Sequence, residues 1–263
     1  MWNLKLFRAL GAVLLCAALA AQDPDAPEPR PELLPGEALA MSVDEKPARF
    51  FGEAAREHPM GSLAKLVWIR LEGEEWASAG VEFKCTGSDG THSCWLKKGH
   101  GRVDVGKALR ESCNLAFLSW AKLSATEWKK YIGEGAGRLH LEEGFRPFLG
   151  GRMPPGEQIP PMSLEWVGDG ELLRTSPEGM LQWLMDPVQA TLIATCRRHL
   201  TVKIGRDESW WIKTGTAPVP GEPGATSAWV AGGNGQVLAV FHMPRGRGKV
   251  EGMERFVKLM GIR

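Results

Sequence analysis

Ser62 and Lys65 lie three residues apart in the stretch HPMGSLAKLVWIRL, where Pro59 and Gly61 precede the serine. On a helix, residues i and i+3 share one face, so the two side chains can come within hydrogen-bonding distance. A serine hydroxyl becomes a nucleophile when a base takes its proton, and a lysine can be that base if burial and nearby positive charge lower its pKa. Alone, the pair is also typical of a helix-capping serine followed by a solvated lysine.

Two further motifs follow Ser-x-x-Lys along the chain. Ser112, Cys113 and Asn114 place a hydroxyl and an amide two residues apart, and Lys213 to Thr216 read Lys-Thr-Gly-Thr within an apparent strand. In this order, Ser-x-x-Lys, Ser-x-Asn and Lys-Thr-Gly resemble the motifs of the serine penicillin-recognising enzymes, that is, the penicillin-binding transpeptidases and the serine β-lactamases. The three motifs together are a much more specific signal than any one of them.

The resemblance extends into the flanking sequence. Gly99 to Ala121 is similar to the transpeptidase segment in which His-Gly leads into a helix and loop carrying Ser-Cys-Asn, and Trp166 to Leu172 is similar to their Gly-x-Gly-x-Leu stretch. The similarity covers about residues 37–263. It implies an α/β (α+β) fold, in which an antiparallel sheet covered by helices lies beside an all-helical lobe, with the active site between them.

The resemblance also implies a catalytic role for four side chains. Ser62 would attack a carbonyl carbon and form an acyl-enzyme, and Lys65 would accept the serine proton. Ser112 would relay a proton toward the leaving nitrogen, within reach of both Lys65 and Lys213. The backbone N–H groups of Ser62 and Thr216 would form the oxyanion hole, a contribution often worth several kcal/mol.

Four residues besides Lys213 are implied to bind substrate. Asn114 would hydrogen-bond the substrate amide. Lys213 would keep the site positive and, together with Thr214 and Thr216, would hold a substrate carboxylate. Gly215 would let the strand backbone approach the ligand, since it has no side chain in the way.

These roles predict a DD-transpeptidase-like serine acyl-transferase that acts on D-Ala-D-Ala peptidoglycan stem peptides, binds β-lactams covalently and needs no cofactor. A class D-like β-lactamase is the alternative, because those enzymes have about this length and no extra modules. However, their second motif has an apolar residue in place of Asn114, they usually have Trp in place of Thr216, and their Tyr-Gly-Asn motif has no counterpart around Tyr131. A domain that stays acylated and acts as a sensor or scaffold is a second alternative.

Local patterns predict several of the elements that must position these residues. The apolar residues after Ser62 predict a mostly buried helix that the serine caps, and Val105 to Leu123 is predicted to be one helix. SWWIKTGTA, SAWVAGG and QVLAVFHM predict three strands, the last two joined by the tight turn around Asn234. An apolar stripe then predicts a closing helix that packs on the sheet; its members are Val250, Met253, Phe256, Val257 and Met260.

The N-terminus predicts export. Lys5 and Arg8 precede an apolar run of about 13 residues and a small-residue cleavage pattern, which is typical of a signal peptide and is shorter than the roughly 20 residues of a membrane-spanning helix. We predict a signal peptide at 1–21, a Pro-rich acidic tether at 22–36 and one domain at 37–263. The predicted location is periplasmic or secreted, with membrane contact only through an uncleaved export segment.

Charge excludes one class of partner. Lys and Arg number 32 and Asp and Glu 31, so the formal net charge is +1. A nearly neutral chain lacks the basic surface that nucleic-acid binding needs. We therefore expect no nucleic-acid partner.

The cysteines raise two alternatives. Cys85 and Cys94 bracket a turn-rich loop. Because export would place the chain in an oxidising compartment, a local disulfide between these two cysteines is the leading prediction. The other alternative is a zinc site in which His92 and His100 join Cys85 and Cys94. Because the spacing of these residues lacks the close ligand pairs of zinc motifs, we predict no metal. His100 is expected to support local structure and is left out of the catalytic set. Cys113 and Cys196 are predicted to be buried thiols.

Overall fold

Ten strands lie within the described part of this computed structural model, which comprises residues 31–44, 46–132, 136–149, 163–204 and 208–262. The predicted signal peptide and most of the predicted tether lie outside these residues. The strands are β1 (Ala38–Val43), β2 (Arg49–Gly52), β3 (His58–Pro59), β4 (Phe83–Cys85), β5 (Gly101–Val103), β6 (Arg174–Thr175), β7 (Thr201–Ile204), β8 (Glu208–Pro218), β9 (Thr226–Gly233) and β10 (Val237–Met243).

Six of the strands form one antiparallel sheet in the order β2-β1-β10-β9-β8-β7. The three strands predicted near the C-terminus are confirmed as β8, β9 and β10, and the side-chain oxygen of Asn234 accepts the N–H groups of Gln236 and Val237 in the predicted turn. Strands β1 and β2 were not predicted. They extend the sheet beyond β10, so its two ends come from opposite ends of the domain sequence.

Seven α-helices lie in the described residues. They are α1 (Ala64–Ser78), α2 (Val105–Glu111), α3 (Asn114–Ile132), α4 (Ala136–Leu149), α5 (Pro177–Met185), α6 (Ala190–Leu200) and α7 (Met253–Leu259). The prediction of one helix from Val105 to Leu123 is wrong, because Ser112 adopts a left-handed conformation with φ 53° and ψ 45°. A left-handed residue cannot continue a right-handed helix, so α2 ends there and α3 begins two residues later.

The sheet separates two hydrophobic cores. Side chains alternate across a strand, so in β8 Trp211 packs with the large core that contains the helical lobe, whereas Trp210 and Ile212 pack on the opposite face. Phe256 of α7 covers that second face, which confirms the predicted closing helix. Val250 does not belong to its apolar stripe, since it is 49% exposed in the turn before α7.

Aromatic side chains hold the helical lobe together. Trp68 and Trp76 of α1 stack with ring centroids 5.7 Å apart, and Trp76 also contacts Trp120 of α3 at 5.4 Å. Phe145 of α4 packs edge-on against Trp68 at 5.6 Å. Large buried aromatic rings fix their neighbours with many close contacts, so α1, which carries Lys65, is rigidly held.

The expected fold, an antiparallel sheet covered by helices beside a helical lobe, is confirmed. Within the described ranges, no helix combines the length and the apolar character needed to cross a bilayer.

Candidate active site

Ser62 lies in a short 3-10 turn, Gly61–Leu63, that leads directly into α1. Gly61 has a φ of +56°, and a Cβ at this position would lie 2.7 Å from the carbonyl oxygen of Thr216, so the close approach to β8 requires glycine. The predicted capping role of Ser62 is wrong, because no side-chain hydrogen bond caps the turn or α1. The Ser62 hydroxyl is instead half-buried and faces Lys65.

Lys65 is fully buried, and its Nζ reaches three oxygen atoms. The distances are 2.8 Å to Asn114 Oδ1, 2.9 Å to the carbonyl oxygen of Val167 and 3.2 Å to Ser62 Oγ. A neutral lysine has two N–H groups and one lone pair, and the two shorter contacts are to oxygens that can only accept. A neutral Lys65 therefore donates to Asn114 and Val167 and turns its lone pair toward the Ser62 hydroxyl, which is the geometry of a base.

Burial gives Lys65 the proton affinity that such a base needs. Burial lowers the pKa of Lys65 to about 8, and the negative charge of Asp169 opposes that shift. Asp169 also accepts a long hydrogen bond of 3.4 Å from Asn114 Nδ2. A neighbouring positive charge was also expected to lower this pKa, but burial is the cause that lowers it and the charged neighbour Asp169 raises it.

Ser112 and Asn114 lie at the break between α2 and α3, and the left-handed conformation of Ser112 sends the two side chains to different partners. Ser112 Oγ accepts a short hydrogen bond of 2.5 Å from Lys213 Nζ, while Asn114 Oδ1 accepts from Lys65. The expected contact between Ser112 and Lys65 is not among the hydrogen bonds of the described residues. The motif therefore bridges the two lysines through two separate side chains.

Lys213 projects from the middle of β8 and is also buried. Its Nζ donates to Ser112 Oγ and to the carbonyl oxygen of Thr214, the latter at 2.8 Å. Burial lowers the pKa of Lys213 well below the usual lysine value, and the positive charges of Lys65 and Lys249 lower it further. A buried ammonium with a lowered pKa gives up a proton readily, so Lys213 can supply one to Ser112.

The strand residues after Lys213 line the Ser62 turn. A Cβ on Gly215 would lie 3.3 Å from both the Ser62 nitrogen and the Met60 carbonyl oxygen, so a side chain here would press on the turn. Thr214 is half-buried and Thr216 is exposed. Thr216 Oγ1 accepts the N–H of Gly248 at 3.0 Å, which leaves its hydroxyl hydrogen available to a ligand.

The structure thus brings together five of the predicted residues, which we call the catalytic cluster, as two hydrogen-bonded sets: Ser62, Lys65 and Asn114 form one, and Ser112 and Lys213 form the other. Sequence reasoning missed the Val167 carbonyl, Asp169 and Gly248. The signal for the first two was present, since they belong to the Gly-x-Gly-x-Leu stretch already noted. Gly248 offered none, because its contribution is a backbone N–H from a distant segment.

The predicted disulfide between Cys85 and Cys94 is absent, and all four described cysteines are buried free thiols. Cys85 and Cys94 lie in one cluster with His100 and Cys113, whose ligand atoms are all within 4.8 Å of one another. His92 lies apart from it, with its ring 3.5 Å from Asp89. The predicted burial of Cys113 and Cys196 is confirmed.

No protein-family model matches the sequence, and no curated protein matches it. Solved structures do. The class D β-lactamase BAT-2 superposes with a TM-score of 0.58 at 13% identity, covering 86% of this chain and 90% of that one. Pseudomonas aeruginosa PBP2 in complex with WCK 5153 gives a TM-score of 0.60 at 13% identity, covering 86% of this chain and 70% of that one.

A third similar structure is the C-terminal domain of the Bacillus licheniformis BlaR penicillin receptor, with a TM-score of 0.57 at 15% identity, covering 86% of this chain and 90% of that one. The chain therefore has the fold of the serine penicillin-recognising superfamily. At these identities the likeness defines the fold and leaves the activity to the residues of the site.

Proposed function

We propose that this chain is an exported serine acyl-transferase of the DD-transpeptidase type, which acts on D-Ala-D-Ala-type stem peptides of peptidoglycan and is acylated by β-lactams at Ser62. The observation that carries the proposal is the 3.2 Å contact between Ser62 Oγ and Lys65 Nζ, in a lysine whose pKa is lowered to about 8. A half-buried hydroxyl beside a buried amine is a nucleophile paired with its base.

In the proposed acylation, Ser62 Oγ forms a bond to the substrate carbonyl carbon while its proton passes to Lys65 Nζ. The oxygen that becomes negative lies against the backbone N–H groups of Ser62 and Thr216, which stabilise it. The carbon–nitrogen bond then breaks, and the leaving nitrogen takes the hydroxyl proton of Ser112. Lys213 Nζ, which already donates to Ser112 Oγ, replaces that proton.

Asn114 and the strand residues bind the substrate in this scheme. Among the described residues, Asn114 Nδ2 hydrogen-bonds only to Asp169, at 3.4 Å, so it can turn to a substrate carbonyl while its Oδ1 stays on Lys65. Lys213, Thr214 and Thr216 present positive charge and hydroxyl groups for a carboxylate. The C-terminal carboxylate of a D-Ala-D-Ala peptide and the carboxylate of a penicillin are both suitable.

A class D-like β-lactamase is the second candidate, favoured by the match over 90% of the length of BAT-2. The amide at position 114 favours the transpeptidase, because it occupies the place of an apolar residue in class D motifs and bonds directly to the base. The two candidates differ in the lifetime of the acyl-enzyme.

The experiment is a pulse-chase with a fluorescent penicillin on the purified chain, Ser62→Ala and Ser78→Ala. Ser78 is an exposed serine at the end of α1, so Ser78→Ala is the matched control. We expect label on the wild type and on Ser78→Ala that lasts many minutes, and none on Ser62→Ala. Label lost within seconds, with serine-dependent turnover of the drug, supports the β-lactamase instead. Absence of label on the wild type contradicts both.

A transpeptidation assay with an amino-acid acceptor distinguishes the sensor alternative from a transpeptidase. A synthetic D-Ala-D-Ala peptide together with an amino-acid acceptor gives a transpeptidation product if the acyl-enzyme turns over. Acylation by penicillin without any release of D-alanine favours a sensor or scaffold.

A further inference from the structure

We propose that Cys85, Cys94, His100 and Cys113 bind one zinc ion, in a structural site that holds the loop carrying Ser112 and Asn114. We call these four residues the thiol cluster. All four are buried, and one ligand atom from each lies within 4.8 Å of those of the other three. They come from three separate places: the end of β4, the loop between β4 and β5, and the break between α2 and α3.

One pair of ligand atoms lies at the spacing of tetrahedral zinc, and all pairs lie within 4.8 Å. With zinc–sulfur bonds of about 2.3 Å and zinc–nitrogen bonds of about 2.0 Å, tetrahedral ligands lie about 3.5 to 3.8 Å from one another. Cys94 Sγ lies 3.5 Å from His100 Nδ1, so Nδ1 is the ligating nitrogen. Three thiolates and one imidazole form a common closed ligand set for structural zinc.

The outer nitrogen of the His100 ring lies near a carboxylate, the kind of acceptor that a zinc-bound histidine needs. When Nδ1 binds a metal, Nε2 carries the hydrogen and needs an acceptor. The Nε2 of His100 is buried and has no hydrogen-bond partner within the described residues, and the nearest carboxylate oxygen, Glu111 Oε2, lies 4.0 Å away. A small rotation of the ring around a bound ion would bring this pair into contact.

The backbone is folded to present the sulfur atoms. Gly87 and Gly99 have positive φ angles, and a Cβ on Gly99 would lie 2.2 Å from the Cys85 carbonyl oxygen, so the loop turns tightly around Cys85.

A disulfide explains less of this arrangement. A disulfide between any two of the three cysteines would leave the third thiol and a buried imidazole without a role. Zinc was not predicted from the sequence, because the spacing of Cys85, Cys94, His92 and His100 lacks the close ligand pairs of zinc motifs. In the structure the fourth residue of the cluster is Cys113, not His92. Cys113 lies at the break between α2 and α3, so no local spacing pattern could have identified it as a ligand.

The test measures metal in the full chain, expressed with added zinc, for the wild type, Cys85→Ser and Cys196→Ser. Cys196 is a buried cysteine outside the thiol cluster, so its variant is the matched control. We expect about one zinc per chain in the wild type and in Cys196→Ser, and less than about a fifth of that in Cys85→Ser. Equal zinc in all three proteins overturns the proposal.

Cobalt decides the matter if Cys85→Ser fails to fold. Wild-type chain stripped with a chelator should bind Co²⁺ and show the thiolate charge-transfer and strong visible bands of tetrahedral cobalt. No zinc and no cobalt spectrum overturns the proposal, as does an intact mass lower by two hydrogens, which indicates a disulfide. A second readout, slower penicillin labelling of the stripped chain, rests on the proposed function. The metal content does not depend on the proposed function. Failure of the zinc proposal can therefore be distinguished from failure of the proposed function.

Discussion

The catalytic cluster and the thiol cluster are both buried, yet they satisfy their polar atoms differently. In the catalytic cluster, both lysine nitrogens donate to oxygen atoms of the chain itself. In the thiol cluster, the Nε2 of His100 has no hydrogen-bond partner among the described residues, and three thiols crowd around its other nitrogen. Buried polar groups normally find partners. The first cluster is complete as folded, whereas in the second the three thiols and Nδ1 of His100 form the donor set that a bound metal ion would complete.

The two clusters meet within three residues. Ser112 and Asn114 belong to the catalytic cluster, and Cys113 between them belongs to the thiol cluster. The left-handed conformation of Ser112 costs about 1–2 kcal/mol for a residue with a Cβ. A metal bound to Cys113 would hold that conformation in place. We therefore expect that changes in the catalytic cluster leave the thiol cluster intact, whereas loss of the metal weakens the catalytic cluster.

The largest expected effect comes from removing the base. In Lys65→Ala we expect penicillin acylation to fall about 10³-fold, the usual contribution of a general base, while zinc content stays at the wild-type value. Lys203→Ala, at an exposed lysine of β7, is the control. The measurement is the second-order rate of labelling by fluorescent penicillin. Acylation at the wild-type rate in Lys65→Ala would exclude it as the base, and loss of zinc would show that the two clusters are not separable.

The next largest effect is a loss of stability, and it comes from substituting Gly168, the residue after Val167. Gly168 has a φ of +79°, and a Cβ there would lie 1.7 Å from the Gly61 carbonyl oxygen. Gly168→Ala should therefore lower the free energy of unfolding by about 3 kcal/mol or more and displace the Ser62 turn. Gly80→Ala is matched, since Gly80 has a φ of +61° with no heavy atom within 4 Å of its Cβ position. It should cost only about 1 kcal/mol.

Urea unfolding of both glycine variants gives the two values, and metal analysis sharpens the comparison. Neither glycine belongs to the thiol cluster, so zinc content should be unchanged in the folded protein. Equal destabilisation by the two substitutions would mean that the contact between Gly168 and the turn contributes nothing beyond backbone strain.

The smallest effect is electrostatic. Because burial lowers the pKa of Lys65 to about 8, the neutral base accumulates as pH rises, so acylation should increase about 50-fold from pH 6 to pH 8 and level off above pH 9.5 or so. The charge of Asp169 opposes the lowering. Asp169→Asn should therefore move the rise to lower pH and speed acylation at pH 6.5 by about 2- to 5-fold.

Glu171→Gln is the control for this pH profile, since Glu171 is an exposed acid two residues away. Acylation that does not change between pH 6 and pH 9 would contradict a titrating lysine base. A profile that shifts equally in both variants would assign the effect to general surface charge.

The motif residues and their order were readable from the sequence because catalysis demands particular side chains at fixed local spacing. The i, i+3 pair of Ser62 and Lys65 needs only a turn of helix, and Lys-Thr-Gly needs only a strand. Strands β8 to β10 were predictable for the same reason, since hydrophobic alternation and a tight turn are local. Strands β1 and β2 were not, because β1 enters the sheet by pairing with β10 about 200 residues away, and β2 in turn pairs with β1.

By itself, therefore, the sequence predicted the fold class and the order of the motifs through their resemblance to the serine penicillin-recognising enzymes, and it indicated Ser62 and Lys65 as the candidate nucleophile and base. Only the tertiary structure decided that the helix from Val105 breaks at Ser112, that the Val167 carbonyl and Asp169 adjoin Lys65, and that Cys113 joins Cys85, Cys94 and His100. The physical reason is that each of these contacts joins groups distant in sequence, and such contacts are selected by packing of the whole core and not by the residues on either side of them.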